Sequence, residues 1–408
     1  MENYVKQIKV LHICSSKFGG AGIAAYRLHN SLNEIAGEFI HSNWLDNSMI
    51  NHPRITLFQR IINKTIKFFA NERYKKSKNK AESDKYVLFS SLEGPLKRIE
   101  GCYDIIHLHW ISSFVDYHSI FKNVKIPIVW TCHDKNPFMG GFHYILDKNR
   151  TKKNFILSQL DNKIFRKKKL LYSHSSLKSF IVTTTDFQKN IKNIFPDLRI
   201  VYIPLGFNVD IFKPRNKILC FNLLKISFSK DITILFVTQN ISDYRKGWDL
   251  LIESLRNLKI KNSIRIVCVG ESYNDYLKLN NHYIEVINLG FITDNKLLSC
   301  VYNISDVLIM PSREEAFGQV MAESLLCGTP VIGFRTSGVC DLIINNFNGY
   351  IVNEISSKAL YDVINTFILT YNEINYDRFI ISENAKEKLD NYIIVHKHYE
   401  LYRSILEI

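Results

Sequence analysis

Short, unbroken apolar runs, each followed by a turn and a helical stretch, recur along most of this chain, and that alternation leaves few folds open. Ile8–Cys14 (IKVLHIC), Asp104–His109 (DIIHLH), Ile126–Cys132 (IPIVWTC) and Phe180–Thr184 (FIVTT) carry it through the first half. Ile232–Thr238, Ile264–Val269, Tyr283–Leu289 and Asp306–Met310 carry it through the second. Runs without polar alternation suit strands buried on both faces, as in a parallel sheet covered by helices. Helical stretches from Gly19 to about Asn33, and over Gly247–Leu258, Asp294–Tyr302 and Gly318–Cys327, fill the gaps. Such alternation imposes right-handed crossovers. The expected fold is α/β, with two Rossmann-like doubly wound domains.

A length of 408 residues accommodates two such domains. Pro204–Pro214 (PLGFNVDIFKP), with two prolines and a glycine after the last strand of the first half, sets the boundary. The domains are then 1–205 and 206–382. The C-terminal end reads as one long helix with Tyr392, Tyr399, Leu401, Tyr402 and Leu406 as buried anchors.

Charge divides the halves. Residues 1–205 hold 32 Lys and Arg against 16 Asp and Glu, whereas 206–408 hold 21 against 23, so the first half carries the whole net charge of +14. A basic half attracts nucleic acid, anionic lipid or phosphorylated ligands, and composition does not choose among them. Two basic stretches stand out. Residues 54–80 place Ile55, Phe58, Ile62, Ile66 and Phe69 at helical spacing ahead of Arg73, Lys75, Lys76, Lys78 and Lys80. Residues 148–169 hold Lys148, Arg150, Lys152, Lys153, Lys163, Arg166, Lys167, Lys168 and Lys169. Each fits either a solvated face over a core stripe or an interfacial helix on anionic lipid. No apolar run reaches the roughly 18–20 residues of a membrane span, and no signal-peptide pattern opens the chain, so no secretion is expected. Eight scattered cysteines without CxxC spacing read as buried reduced thiols.

Four segments carry candidate chemistry. Gly19-Gly20-Ala21-Gly22 follows the first strand and opens a helix, where backbone N–H groups face an anion; a bare tight turn fits equally. Ser312–Glu323 (SREEAFGQVMAE) follows Asp306–Met310, with Glu315 in the turn, Phe317-Gly318 opening a helix and Glu323 on it. There one carboxylate reaches a polyol and the other reaches ribose hydroxyls. Arg245-Lys246-Gly247 opens the first helix of the second half, as a diphosphate clamp or a solvated pair. His109-Trp110, His133-Asp134 and His143 fall at or after strand ends, on the crevice side of a parallel sheet, while His107 faces the other side as a structural histidine. There is no P-loop, HExxH, G-x-S-x-G or D-x-D.

On these residues the chain resembles the retaining GT-B glycosyltransferases of family four, the E-x7-E type. Glu315 and Glu323 match that signature, Gly19–Gly22 resembles the family's glycine loop, and Pro204–Pro214 its interdomain segment. His109-Trp110 and Thr131–Asp134 through Gly140–Tyr144 are similar to the branch that builds capsule, colanic acid and other surface polysaccharides. The resemblance spans nearly all the chain except roughly 45–100.

It implies two domains facing across a cleft, the first binding acceptor, the second binding donor, and the helix 383–408 returning to the first. Glu315 would contact the donor hexose, aided by backbone N–H groups around Phe317 and Gly318. Glu323 would bind ribose, and Lys246 with Arg245 would neutralise the departing diphosphate. Gly19 and Gly20 would serve the donor, while Gly22, His109, Trp110, Asp134 and His143 would lie on the acceptor side. His133 would sit near donor sugar and acceptor as a catalytic residue beside Glu315 and Lys246. Two positions depart from the family pattern: Asn240 stands where an arginine is usual, and Ala316 where a glycine is usual.

The expected activity is hexosyl transfer from a nucleotide-sugar to a lipid-linked or saccharide acceptor in surface polysaccharide synthesis. No cofactor, metal or nucleic-acid partner is expected. The expected location is cytoplasmic, peripheral on the anionic inner leaflet. The rival readings are a GT-B nucleotide-sugar 2-epimerase and a non-catalytic anion- or nucleic-acid-binding protein.

Overall fold

The computed structural model describes residues 7–50, 88–151, 154–256, 258, 264–271, 284–371, 373–374 and 376–408. The first basic stretch, from residue 54 to 80, lies outside them. The chain forms two compact units, Met1–Gly206 with Asn391–Ile408, and Phe207–Asp390.

The first unit holds β1 (Ile8–Ile13), β2 (Ile40–Leu45), β3 (Ile105–Leu108), β4 (Ile128–Cys132), β5 (Leu177–Val182) and β6 (Arg199–Tyr202). They form a parallel sheet in the order β2-β1-β3-β4-β5-β6. β1 pairs with β2 on one side and β3 on the other, so the connections leaving β1 and β3 part company there. Ligands bind at such switch points, outside the carboxyl ends of the strands.

The second unit repeats the design with β7 (Ile232–Asn240), β8 (Ile264–Glu271), β9 (Ile284–Asn288), β10 (Val307–Met310), β11 (Val331–Phe334) and β12 (Gly349–Val352). The order is β12-β11-β10-β7-β8-β9, all parallel. Its switch point falls between β7 and β10, which pair through Ile234 with Val307 and Leu235 with Leu308. Ile234, Phe236, Ile266, Ile309 and Ile332 meet Leu251, Leu255, Leu360 and Phe367 from the helices in one core. Both sheets are the two-sided apolar kind that the continuous runs imply.

The C-terminal end differs from a single helix beginning at 383. Two helices form, Arg378–Leu389 and Asn391–Leu406, parted by extended backbone at Asp390. The first stays with the second unit, where the Ser382 hydroxyl donates to the Leu326 carbonyl at 2.6 Å and the Phe207 N–H to Leu389 O at 2.8 Å. The second enters the core of the first unit through Ile394, Val395, Leu401 and Tyr402, beside Val10, Leu32, Ile105 and Ile181. Tyr392, expected as an anchor, is 60% exposed. It lies in the first turn, off the buried stripe that Ile394, Val395 and His398 define.

Candidate functional site

In the second unit two turns meet at the switch point. After β7, Asn240 Oδ1 accepts the Ser242 N–H at 2.9 Å and Asp243 accepts the Arg245 N–H at 2.9 Å, shaping a short turn over Tyr244–Lys246. Gly247 follows with φ +74°, and a Cβ there would stand 1.9 Å from the Pro311 carbonyl oxygen. Only glycine lets the turn after β7 press against the turn after β10. Arg313 fastens the contact: its N–H donates to Arg245 O at 2.8 Å, and its guanidinium donates to Tyr244 O at 2.6 Å and to Asp249 at 2.8 Å.

This contact brings Glu315 and the two cations together. Lys246 Nζ lies 2.6 Å from Glu315 Oε2 and Arg245 Nη1 lies 3.6 Å from the same oxygen, while the Ser312 hydroxyl donates to it at 3.3 Å. Burial pushes the Glu315 carboxyl up, but Lys246, Arg245 and the Ala316 N–H overcome it and hold the carboxyl at about 2. Burial lowers the Lys246 ammonium, partly offset by Glu315. The carboxylate stays charged at neutral pH, with two cations at one edge. Gly318 precedes the helix Gln319–Leu326, and Glu323 on that helix accepts the Tyr302 hydroxyl at 2.7 Å. Phe317 is buried and stacks on Phe207 with ring centroids 6.3 Å apart.

In the first unit the helix Gly19–Ile35 leaves β1 through the glycine loop. Gly22 is required by close approach, since a Cβ there would meet Ser16 O at 2.3 Å. The Ser15 N–H donates to Trp110 O at 2.7 Å, tying the loop after β1 to the end of β3. His133 is half-buried and, with His109, Thr131, His398, Ala24 and Leu28, lines a small cavity.

Asp134 and His143 lie beneath the surface and pair with each other, Oδ2 to Nδ1 at 2.6 Å. Asp134 also accepts Trp110 Nε1–H at 2.8 Å, and His143 Nε2 meets the Ser90 hydroxyl at 2.8 Å. Both were expected on the acceptor side, and both lie buried where Asp134 holds the indole N–H of Trp110. Beneath them Lys168, 1% exposed, donates to Asn136 O, Asn136 Oδ1 and Gly140 O at 2.6, 3.0 and 2.8 Å.

No sequence motif singles out His12, Tyr302 or Arg313, and Lys168, expected on a solvated or lipid-facing surface with the other cations of 148–169, is buried instead. The only sequence signal for His12 is a polar residue inside the apolar run of β1. His12, His107 and His109 each bring a ring nitrogen within 4.8 Å of the others. Both nitrogens of His107 are engaged, by Tyr402 OH and Thr131 Oγ1 at 2.7 Å each. Its ring stacks on His109 with centroids 4.2 Å apart, so His107 shares the face of His109 instead of the opposite face expected, as residues two apart on a strand must, and the lone pairs do not converge as a tetrahedral metal requires.

Residues 225–388 match the family model described as glycosyl transferases group 1. The chain is 31% identical to a glycogen synthase of Thermodesulfovibrio yellowstonii over 48% of its own length and 39% of that protein's. It is 22% identical to the lipopolysaccharide 1,2-N-acetylglucosaminetransferase of Salmonella typhimurium, over 69% of this chain and 79% of that one. The fold matches sucrose-phosphate synthase from Thermosynechococcus elongatus over 98% of this chain and all of that one, with TM-score 0.68 and 18% identity. It also matches Anabaena HepE, solved in complex with UDP and glucose, over 98% of this chain and all of that one, with TM-score 0.61 and 16% identity. The two sheets are therefore the Rossmann-like pair of the GT-B fold, and residues 225–388 of the second unit are similar to the group 1 glycosyl transferases.

Proposed function

We propose that this protein is a retaining hexosyltransferase of surface polysaccharide synthesis, taking its sugar from a nucleotide-sugar. The observation that carries the reading is the Glu315 carboxylate held between Lys246 and Arg245 at the β7/β10 switch point. Breaking the glycosyl–phosphate bond leaves positive charge at the anomeric carbon and negative charge on the diphosphate. Cations fixed beforehand stabilise that separation without reorganisation. Lys246 and Arg245 neutralise the diphosphate, Arg245 taking the part of the arginine that Asn240 replaces. Glu315 binds the hexose, and Glu323, oriented by Tyr302, binds the ribose. The acceptor hydroxyl oxygen bonds to the anomeric carbon on the face the diphosphate leaves, and its proton passes to the departing phosphate oxygen. We take the two side-chain cations to replace a divalent metal. The family match and the UDP and glucose seen in the Anabaena relative's structure support a nucleotide-sugar donor.

The acceptor is a saccharide, free or on a lipid carrier at the anionic inner leaflet, and the first unit binds it. No described helix is long and apolar enough to cross a membrane. The helix Phe155–Ser173 instead turns Lys163, Arg166, Lys167 and Lys169 outward, beside Phe155 and Ile156 at 73% and 62% exposed. Such a face suits peripheral contact with anionic lipid. The deciding experiment offers common nucleotide-sugars one at a time, with and without EDTA, and measures nucleoside diphosphate release and the anomer formed. Release by wild type but not by Glu315→Gln, insensitive to EDTA and with retained configuration, supports the reading. An epimerised free sugar, or no release from any donor, overturns it.

A further inference from the structure

Three imidazoles run head to tail through the first unit. His12 Nδ1 on β1 meets His109 Nε2 at 2.9 Å, and His109 Nδ1 meets His133 Nε2 at 3.1 Å. The inner end of the chain is closed, because His12 is fully buried and its Nε2 has no partner. The outer end is half-exposed, and His133 Nδ1 makes no hydrogen bond among the described residues. Burial lowers the pKa of all three rings, that of His133 to about 4, so the chain is neutral at neutral pH.

Each neutral ring carries one N–H and one lone pair, and each link uses one of each. Only two proton arrangements satisfy both links. In one, every proton points inward and His12 Nε2–H is a buried donor with nothing to bind. In the other, every proton points outward and His12 Nε2 is a bare lone pair. Unpartnered buried donors are the rarer of the two in folded proteins.

We propose that the closed inner end fixes the tautomer of His133, with its proton on Nδ1, so that this ring presents a neutral hydrogen-bond donor to an oxygen of the bound ligand. The Nε2 lone pair is then taken by His109, and His133 has no free lone pair with which to accept a proton. It binds a hydroxyl or phosphate oxygen and is not a general base, and His12 and His109 are positioning residues. Taking that ligand to be a saccharide rests on the function proposed above. An isolated neutral histidine favours Nε2–H, so the expected state opposes the default.

Nitrogen-15 NMR of the full chain labelled at histidine, between pH 6 and 8, reads the tautomers directly, with His133→Asn identifying the signal. His133 and His109 protonated at Nδ1 support the inference, and either ring protonated at Nε2 or averaging between forms overturns it. His12→Phe keeps a ring in place and removes the closed end, and His133 should then populate both tautomers. If that variant does not fold, the wild-type spectrum still decides. In transfer assays His133→Asn, which places an amide N–H near Nδ1, should lose severalfold less activity than His133→Ala, which loses about tenfold. Equal losses in the two variants would count against the donor role. The spectrum is independent of turnover, so an inactive enzyme with the expected tautomer overturns only the proposed function.

Discussion

Lys246 Nζ and Glu315 Oε2 lie 2.6 Å apart, although 69 residues separate them, because the turns after β7 and β10 abut at the switch point of the second sheet. Removing one partner of a buried pair leaves the other uncompensated, which costs about 3–5 kcal/mol. Arg245, 3.6 Å from the same oxygen, compensates in part. Lys246→Ala should therefore lower stability by about 3 kcal/mol, measured by urea unfolding, and weaken nucleoside diphosphate binding by about 10–100-fold in calorimetry. The Glu315 carboxyl falls from its ordinary 4.5 to about 2 on folding. A depressed carboxyl stabilises the fold fully above the unfolded value and loses that contribution as pH falls toward the folded one. Wild type should lose this stability between about pH 4.5 and 2. Glu315→Gln should show no such loss, and identical acid profiles would remove the pair from the stability of this unit.

Gly247→Ala tests the contact between the turns directly. The new methyl would fall 1.9 Å from the Pro311 oxygen in a backbone with φ +74°. The turns must separate, and a loss of about 2 kcal/mol or more in stability is expected. Donor binding should fall with it, since Arg245 and Lys246 sit on the displaced turn. A melting temperature equal to wild type would show that the turns yield freely.

Tyr302→Phe removes the hydroxyl that donates to Glu323 at 2.7 Å and alters nothing else in shape. A hydrogen bond to a charged acceptor contributes about 1.5–3 kcal/mol. Stability should drop on that scale, with nucleotide affinity falling several-fold while kcat changes little. A fall in kcat at unchanged affinity would place Glu323 in the chemical step instead of on the ribose.

Lys168 makes a prediction of the same sign in a different pH window. Burial lowers its ammonium to about 7 despite Asp134 and Asp161. An unfolded lysine titrates near 10.4, so between about pH 7 and 10 the unfolded chain holds a proton that the folded chain has released. The stability contribution of Lys168 therefore rises with pH across that window. The penalty of Lys168→Met, read as the shift in urea midpoint, should be larger at pH 9 than at pH 6. A penalty that shrinks with rising pH would mean that the ammonium form stabilises the loop Asn136–Gly140.

Changing Lys163, Arg166, Lys167 and Lys169 together to Gln should reduce sedimentation with vesicles containing anionic lipid. Each cation near such a surface contributes roughly 1 kcal/mol. Nucleoside diphosphate release should continue, because these residues belong to the other unit. Binding that ignores both the substitutions and added salt would leave this helix an ordinary solvated face.

The amino-acid sequence by itself determined the repeating unit of this protein. Continuous apolar runs such as IKVLHIC and IPIVWTC can only be buried on both faces, which commits them to parallel sheets. It also determined which carboxylates and cations follow the strand ends, since turns place Glu315 and Lys246 within a few residues of β10 and β7 and the helix Gln319–Leu326 carries Glu323. It did not show β2 (IHSNWL) or β6 (RIVY), whose mixed residues pair only because a neighbouring strand is already there. Nor did it show the break at Asp390, where helical spacing continues but the two flanking helices belong to different cores. Tertiary structure alone decided the sheet orders, and with them the switch points that bring Lys246 to Glu315. It alone set His12 against His109, 97 residues away, and Tyr402 against His107, 295 residues away. Local patterns fix which way a residue faces within its own element, whereas strand register and helix packing fix what it meets.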